Sequence, residues 1–176
     1  MRFVFGIIAV LAIAVNSFAS EDTLSFDRCQ IVNDVNDHSL PSKLIIHFQL
    51  PEGMMGKEIL LAQIITKISL RNVNKDSLLE LSFSPFLSLP PEGDLYYEEL
   101  EAMTDSLVAG SWTCRFDSAA SFQVDITEFV RQVADGHRQN FGLAGAFDLL
   151  GDRNLRLPEN LAGPIQNRAR ITIIYK

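Results

Sequence analysis

Apolar and polar residues alternate over several short segments of this chain, and this alternation restricts its fold more than any other feature. In the segment 43–50, every second residue is apolar, namely Leu44, Ile46, Phe48 and Leu50. Successive side chains of a strand point to opposite faces, so this segment is predicted to be a half-buried strand. The same pattern predicts strands over 59–70, at Leu79, Leu81 and Phe83, at Phe122, Val124 and Ile126, and over 171–176. An extended run is expected from Asn140 to Phe147.

Two segments depart from the alternation and indicate short helices. From Tyr96 to Leu107 the apolar residues recur at helical spacing among acidic ones. After Asp125, the apolar positions fall three, four and seven residues apart, with Glu128 placed as in a capping box and Gly136 where a helix would end. The stretch 151–167 is rich in Asn, Gly and Pro and is predicted to be a loop. The predicted fold class is therefore all-β, with one or two short helices.

The first twenty residues have the three-part pattern of a secretory signal peptide. Arg2 gives the positive start, the apolar run Val4–Val15 follows, and Ser17 and Ala19 place small residues where signal peptidase reads the chain. Cleavage is expected after Ala19 or Ser20. The alternative is a membrane anchor, but the run is shorter than the roughly 20 apolar residues of a spanning helix. We expect residues 1–20 to be a signal peptide, and residues 21–176 to form one extracytoplasmic or secreted domain without membrane insertion.

The charge of the chain argues against two classes of partner. Arg2 is the one charged residue among the first twenty, so removal of that segment takes the formal net charge from -7 to -8. Nucleic acids and anionic membrane surfaces are bound through basic patches. Neither is therefore an expected partner of this acidic domain.

Two cysteines, Cys29 and Cys114, remain in the domain after cleavage. Export to an oxidising compartment favours a disulfide between them, which would contribute about 4 kcal/mol in the chain-entropy model. Two buried thiols in a core large enough to fold without a bridge are the alternative. Spacing alone does not decide between them.

Three segments in sequence order carry a family pattern. They are residues 43–51 (KLIIHFQLP) leading into 59–70, then 124–127 (VDIT) with Val130, Gly136 and 140–143 (NFGL), and last 169–175 (ARITIIY). Together they resemble the bacterial secreted jelly-roll modules known as DNRLRE domains, which are similar to carbohydrate-binding module family ninety-six. The resemblance implies a jelly-roll β-sandwich, export, and a polysaccharide-binding role without catalytic residues.

The chain departs from that family pattern at three places. Val133 stands where the family usually has Trp, Ala169 replaces the Pro before the last strand, and the segment Leu95–Val108 has no counterpart. The chain therefore resembles a diverged member of the family.

Motifs of catalysis and metal binding are missing from the sequence. It contains no nucleophile elbow, zinc-protease helix, phosphate-binding loop or dinucleotide fingerprint. The histidines, His38, His47 and His137, have no ligand spacing. Glu98, Glu99 and Glu101 are more typical of a solvated helix face than of a glycosidase pair. The run Asn33–Asp37 offers oxygen ligands for calcium but lacks the glycine and spaced glutamate of an EF-hand loop, so a polar turn is expected. We predict no enzyme activity and no cofactor.

Carbohydrate recognition requires an exposed aromatic ring beside groups that hydrogen-bond hydroxyls. The candidates are Trp112, Tyr96 and Tyr97, although Trp112 also fits core packing at the edge of a sandwich. Arg153 and Arg156, with Arg168 and Arg170 nearby in sequence, are the one local basic cluster that would suit an acidic polysaccharide.

The sequence thus favours a non-catalytic secreted module that binds polysaccharide or a cell-surface glycan. The alternative is a structural or adhesive protein of the cell exterior that acts through protein-protein association. The ligand and the oligomeric state stay open at this point.

Overall fold

A computed structural model of the chain describes residues 19–37, 40, 42–68, 78–93, 96–115, 120–150, 157 and 159–176. The described residues form nine strands: β1 (Ser20–Leu24), β2 (Arg28–Val32), β3 (Lys43–His47), β4 (Ile59–Ile68), β5 (Leu78–Pro85), β6 (Gly110–Arg115), β7 (Ala120–Asp125), β8 (Leu143–Leu150) and β9 (Arg170–Tyr175). They also form three α-helices, α1 (Tyr97–Met103), α2 (Thr127–Ala134) and α3 (Ala162–Arg168), and the 3-10 helices Glu52–Met54 and Glu159–Leu161. The all-β prediction is confirmed, with one α-helix more than expected.

The strands form two antiparallel sheets. One has four strands in the order β1-β9-β4-β7, and the other has five in the order β2-β3-β8-β5-β6. If β2 is set aside, β1-β9-β4-β7 faces β3-β8-β5-β6, and every connection except that from β5 to β6 crosses between the sheets, as in a jelly roll. The predicted jelly-roll sandwich is confirmed. Strand β2 is an additional edge strand that pairs with β3, with Arg28 opposite His47.

The facing sides of the two sheets enclose the main core. Leu79, Leu81 and Phe83 of β5 are buried there, as their alternation predicted. Phe122 and Phe147 meet across the sandwich edge to face, with ring centroids 6.0 Å apart. Each such ring contributes about 1.5–3 kcal/mol by leaving water, which makes this layer the main source of stability.

A second apolar cluster lies on the outer face of the five-stranded sheet. Phe86 and Leu100 cover Val32, Ile45 and Ala144 there. Residues 86–93 and 96–104, which we call the covering segment, lie over this face and include α1. Strand β3 is therefore buried on both faces, whereas its sequence predicted burial on one. The covering segment includes most of the stretch that has no counterpart in the family pattern.

Polar contacts hold the covering segment over the sheet. The guanidinium of Arg28 donates hydrogen bonds to the carbonyl oxygens of Pro90 at 3.2 Å and Pro91 at 2.9 Å. Lys43 Nζ lies 3.6 Å from a carboxylate oxygen of Glu101 and 5.4 Å from the ring centroid of Tyr97. These contacts fix both ends of α1 relative to β2 and β3.

The start of α2 differs from the predicted capping box. Asp125 Oδ1 accepts the backbone N–H of Thr127 at 2.8 Å and its hydroxyl at 2.5 Å, so Asp125 does stabilise the first turn. Glu128 faces Arg131 and Gln132 on the next turn and does not bond back to Asp125. Gly136, at a φ of 74°, follows the end of the helix as predicted.

The predicted loop over 151–167 is wrong for its second half. Residues 159–161 form a 3-10 helix and Ala162–Arg168 form α3, which packs Ile165 into the core. Pro164 is tolerated because it lies in the first turn of α3, where the backbone N–H groups have no partner within the helix. A polar composition concealed this short helix.

Two polar side chains hold Leu157 in the core. Ser42 Oγ accepts the backbone N–H of Leu157 at 2.7 Å, and Asn33 Nδ2 donates to its carbonyl oxygen at 3.1 Å. Ser42 Oγ also donates to Asn33 Oδ1 at 2.5 Å. Both backbone groups of a buried residue are thus paired by side chains, which avoids the cost of an unpaired buried amide.

Of the two alternatives for Cys29 and Cys114, the structure has the free thiols and no disulfide. Cys29 lies in β2 and Cys114 in β6, the two edge strands of the five-stranded sheet. Four strand spacings separate them, which is about 19 Å, whereas a disulfide joins Cα atoms less than about 7 Å apart. Each thiol packs separately against the core.

Candidate functional site

A groove of about 470 Å³ lies where β2 and the turn after it face the start of α1. Its lining comes from residues 30–36, residues 96–99 and Glu159. We call it the β2 groove. The volume lies within the range of about 300–1,000 Å³ that is usual for ligand sites.

The structure places both candidate tyrosines at this groove but separates their roles. Tyr96, just before α1, is 66% exposed, whereas Tyr97 is 5% exposed and packs beneath the helix. Burial raises the pKa of Tyr97 to about 12, and the negative charges of Glu101, Asp34 and Asp37 raise it in the same direction. Tyr96 is therefore the ring that is available to a ligand.

The turn after β2 is built on Asp34. Its Oδ1 accepts the backbone N–H groups of Asn36 at 2.7 Å and Asp37 at 2.8 Å, which is the polar turn predicted for Asn33–Asp37. Among the described residues, no group of three or more His, Cys, Asp or Glu side chains is placed to hold a metal ion. The turn leaves Val35 at the groove with 74% of its surface exposed.

Three residues with amide side chains, Gln30, Asn33 and Asn36, line the β2 groove. Asn33 is committed to Ser42 and Leu157, as described above. Gln30 Oε1 accepts a 2.9 Å hydrogen bond from Arg28, which leaves its Nε2 to face the groove or solvent. Asn36 is exposed, and its side-chain amide makes no hydrogen bond with the described residues. Gln30 and Asn36 are thus the amides able to bond a ligand hydroxyl.

Acidic side chains give the lining its charge. Asp34, Glu98, Glu99 and Glu159 all line the β2 groove, and the described lining includes no Lys, Arg or His. Glu98 and Glu99 lie in the first turn of α1, where a negative charge also favours the helix. The described lining of the groove is therefore acidic.

Trp112 lies far from the tyrosines. It belongs to β6, opposite Leu81 of β5, and so shares the inner face of the sandwich at the edge away from β2. Its exposure of 37% fits a ring that packs partly against the rim of the core. Trp112 thus lies in an edge strand of the five-stranded sheet. It does not join Tyr96 in one site.

The basic candidates do not form a described site. Arg153 and Arg156 lie outside the described residues, as does His38. Arg168 ends α3 and Arg170 begins β9. Arg170 donates a 2.6 Å hydrogen bond to the carbonyl oxygen of Ala169.

Residues of the family-like segments have structural partners. Thr127 Oγ1 accepts the backbone N–H of Ala62 in β4 at 2.9 Å. Asn140 Nδ2 donates to the carbonyl oxygen of Phe48 at 2.6 Å, and its Oδ1 accepts the N–H of Gly142 at 3.1 Å. These hydrogen bonds join the start of α2 to β4, and the segment after α2 to the residue that follows β3.

The remaining histidines are also far from a catalytic arrangement. His47 Nδ1 lies 3.3 Å from Asp27 Oδ2 at the surface, and His137 is exposed after α2.

No family model and no curated protein sequence matches the chain. In the described part of the chain, none of the helices is both long enough and apolar enough to span a bilayer.

Sequence reasoning missed half of the β2 groove, because β2 itself was not predicted. Cys29 and Ile31 alternate with Arg28 and Gln30, but five residues are a weak signal. Glu159 was hidden in the expected loop. The sequence signals for the groove were Tyr96 beside Glu98 and Glu99, and the polar run Asn33–Asp37.

Proposed function

We propose that the protein is an exported, non-catalytic module that binds polysaccharide in the β2 groove. The observation that carries the proposal is the exposed ring of Tyr96 beside a groove with the amides of Gln30 and Asn36. An aromatic ring covers the apolar face of a sugar, and amide and carboxylate groups bond its hydroxyls.

The covering segment supports the groove as the binding place. It occupies the outer face of the five-stranded sheet with Phe86 and Leu100, so that face is closed to a polymer. The β2 groove, by contrast, lies at a sheet edge and is open to solvent. A polysaccharide is able to run along such an edge without entering a closed pocket.

Binding of purified protein to a glycan array, followed by calorimetry with the best ligand, tests the proposal. Tyr96→Ala is expected to weaken binding about tenfold, since stacking contributes about 0.5–1.5 kcal/mol beyond the buried area. Tyr96→Phe keeps the ring and should bind like the original protein. Leu89→Ala, an exposed apolar change outside the groove, serves as a control. Binding that is unaffected by Tyr96→Ala would move the site elsewhere.

A second candidate function is adhesion through protein-protein contact. Leu87, Leu89, Leu107 and Val108 are all more than half exposed. The loops that carry them adjoin, because the N–H of Leu87 donates to the carbonyl oxygen of Met103 at 2.8 Å. Exposed apolar clusters of this kind are typical of protein interfaces. Sedimentation velocity over a range of concentrations is the test, and a monomer at all concentrations would argue against self-association.

The signal peptide is part of the same proposal. Strand β1 begins at Ser20, so cleavage after Ala19 leaves β1 whole, and cleavage after Ser20 removes its first residue. Residues 1–18 lie outside the described residues. N-terminal sequencing of the exported protein is expected to begin at Ser20 or Glu21, and an intact Met1 would contradict cleavage.

A further inference from the structure

The charge of the β2 groove restricts the kind of polysaccharide that it accepts. Four carboxylates, from Asp34, Glu98, Glu99 and Glu159, lie in its described lining without a cationic side chain among them. Uronate or sulfate groups on a ligand would meet like charges there. A ligand with positive groups would be attracted, most strongly at low salt.

Two described cationic side chains beside the groove already have hydrogen-bond or ion-pair partners elsewhere. Arg28 donates to Pro90, Pro91 and Gln30, and Lys43 pairs with Glu101 beneath Tyr97. Both support the covering segment. Arg28 or Lys43 could turn toward the carboxylates of the groove only by losing contacts that hold the covering segment in place.

The aromatic ring and the acidic groups are close in the chain and belong to the same rim. Tyr96 precedes α1, and Glu98 and Glu99 lie in its first turn. A sugar ring stacked on Tyr96 would therefore place its substituents beside the first turn of α1, where two carboxylates are exposed. An ammonium group on that sugar would form charge-assisted hydrogen bonds with them.

We propose that the β2 groove recognises polymers of amino sugars that bear free, protonated amines, with Tyr96 stacking on a ring and Glu98 and Glu99 receiving the ammonium groups. This inference rests on the proposed polysaccharide-binding function. It differs from the acidic-polysaccharide binding that a basic cluster would support.

The test compares three oligosaccharides of equal length by calorimetry: a fully deacetylated glucosamine oligomer, its fully N-acetylated form, and a uronate oligomer. The deacetylated oligomer is expected to bind at least tenfold more tightly than the acetylated one, and the difference should shrink as salt rises from 20 to about 500 mM. The uronate oligomer is expected not to bind.

Variants assign the effect to named groups. The double variant Glu98→Gln/Glu99→Gln is expected to lose on the order of tenfold for the deacetylated oligomer and little for the acetylated one. Glu21→Gln/Glu52→Gln changes the net charge equally at exposed sites away from the groove and should bind normally. Thermal unfolding of each variant confirms that the fold is retained.

Each other outcome has one meaning. Equal binding of the acetylated and deacetylated oligomers, both lost in Tyr96→Ala, would overturn the amine inference and leave polysaccharide binding in place. No binding of any oligosaccharide would overturn both. Binding of poly-lysine as tight as that of the deacetylated oligomer, and independent of Tyr96, would show a site for basic peptides and overturn the amino-sugar inference.

Discussion

Thr127 Oγ1 accepts the backbone N–H of Ala62 at 2.9 Å, and this contact joins the first turn of α2 to β4, just after the irregularity between Ile59 and Leu61. The hydroxyl in turn donates to Asp125 Oδ1. A threonine in a short polar motif thus completes the hydrogen bonds of a strand that comes sixty-five residues earlier in the chain.

Replacing Thr127 by Val should therefore destabilise the protein. The change keeps the branched shape but leaves the buried N–H of Ala62 without an acceptor, at a cost of about 1–3 kcal/mol. Urea unfolding measures this loss. Thr127→Ser keeps the hydroxyl and should lose less than Thr127→Val, and the reverse order would contradict the role of the hydrogen bond.

Thr66→Val is expected to have the opposite effect. Thr66 Oγ1 is buried in β4 and makes no hydrogen bond with the described residues. Removing an unpaired buried hydroxyl should raise the free energy of unfolding by about 1 kcal/mol. Thr172→Val, on the outer face of β9 where the residue is partly exposed, should change it by less than about 0.5 kcal/mol. Destabilisation by Thr66→Val would indicate a partner for this hydroxyl.

Gly142→Ala should be among the most destabilising small changes. Gly142 has a φ of 94°, and a Cβ there would overlap the carbonyl oxygen of Ile46. The strained φ alone costs about 1–2 kcal/mol for a non-glycine residue, and the overlap adds to it. Gly56 has a φ of 73° with open space around it. The loss of stability in Gly56→Ala therefore measures the cost of the positive φ without a steric overlap. Equal losses in the two variants would remove the close approach as a cause.

Asp105 should make the stability depend on acid. Arg138 Nη2 donates to Asp105 Oδ2 at 2.7 Å, and this bond, followed by the N–H of Leu107, holds the pKa of Asp105 below its usual value. Because the folded pKa is lower than the unfolded one, the stabilisation is present above about pH 4 and is lost as the pH falls through the folded pKa.

The comparison of the original protein with Asp105→Asn tests this dependence. Their difference in unfolding free energy should be constant from about pH 5 to 8 and shrink below about pH 4. Asp135→Asn, at an exposed residue, controls for the change in net charge. A difference that persists at low pH would contradict the assignment to Asp105.

The thiols should be free and unequal in reactivity. Alkylation in urea without reductant is expected to modify both Cys29 and Cys114. In the folded protein at neutral pH, Cys114 should react first, because burial raises the pKa of Cys29 to about 12, and raises that of the less buried Cys114 less far. Mass spectrometry after timed labelling gives both results. Labelling that occurs only after reduction would indicate a disulfide between Cys29 and Cys114.

Alternation in the sequence marks the strands that bury at least one face in the core. Leu79, Leu81 and Phe83 stand two apart because alternate side chains of β5 face the core. Strand β1 carries one apolar residue, Leu24, and pairs with β9 alone, so its hydrogen bonds leave no pattern in the sequence. Edge strands of this kind are determined by a partner distant in the chain.

The candidate site shows the same limit. Tyr96 and Tyr97 were equivalent in the sequence, but Tyr96 has an extended backbone before α1 and is 66% exposed, whereas Tyr97 begins the helix and is buried. The pairing of Cys29 and Cys114 stayed open in the sequence because cysteine spacing says nothing of which sheet edge each residue occupies. Both outcomes depend on tertiary position.

Strand β2 and the covering segment share a position outside the jelly-roll framework, and this affects which residues of the groove can be changed. Neither belongs to the eight strands of the jelly roll, and Glu159 also lies in a connection between strands. The walls of the β2 groove are thus made wholly from additions to the framework. Of the groove residues, Tyr96, Glu98 and Asn36 are exposed, so each can be replaced without removing a side chain from the core of the sandwich.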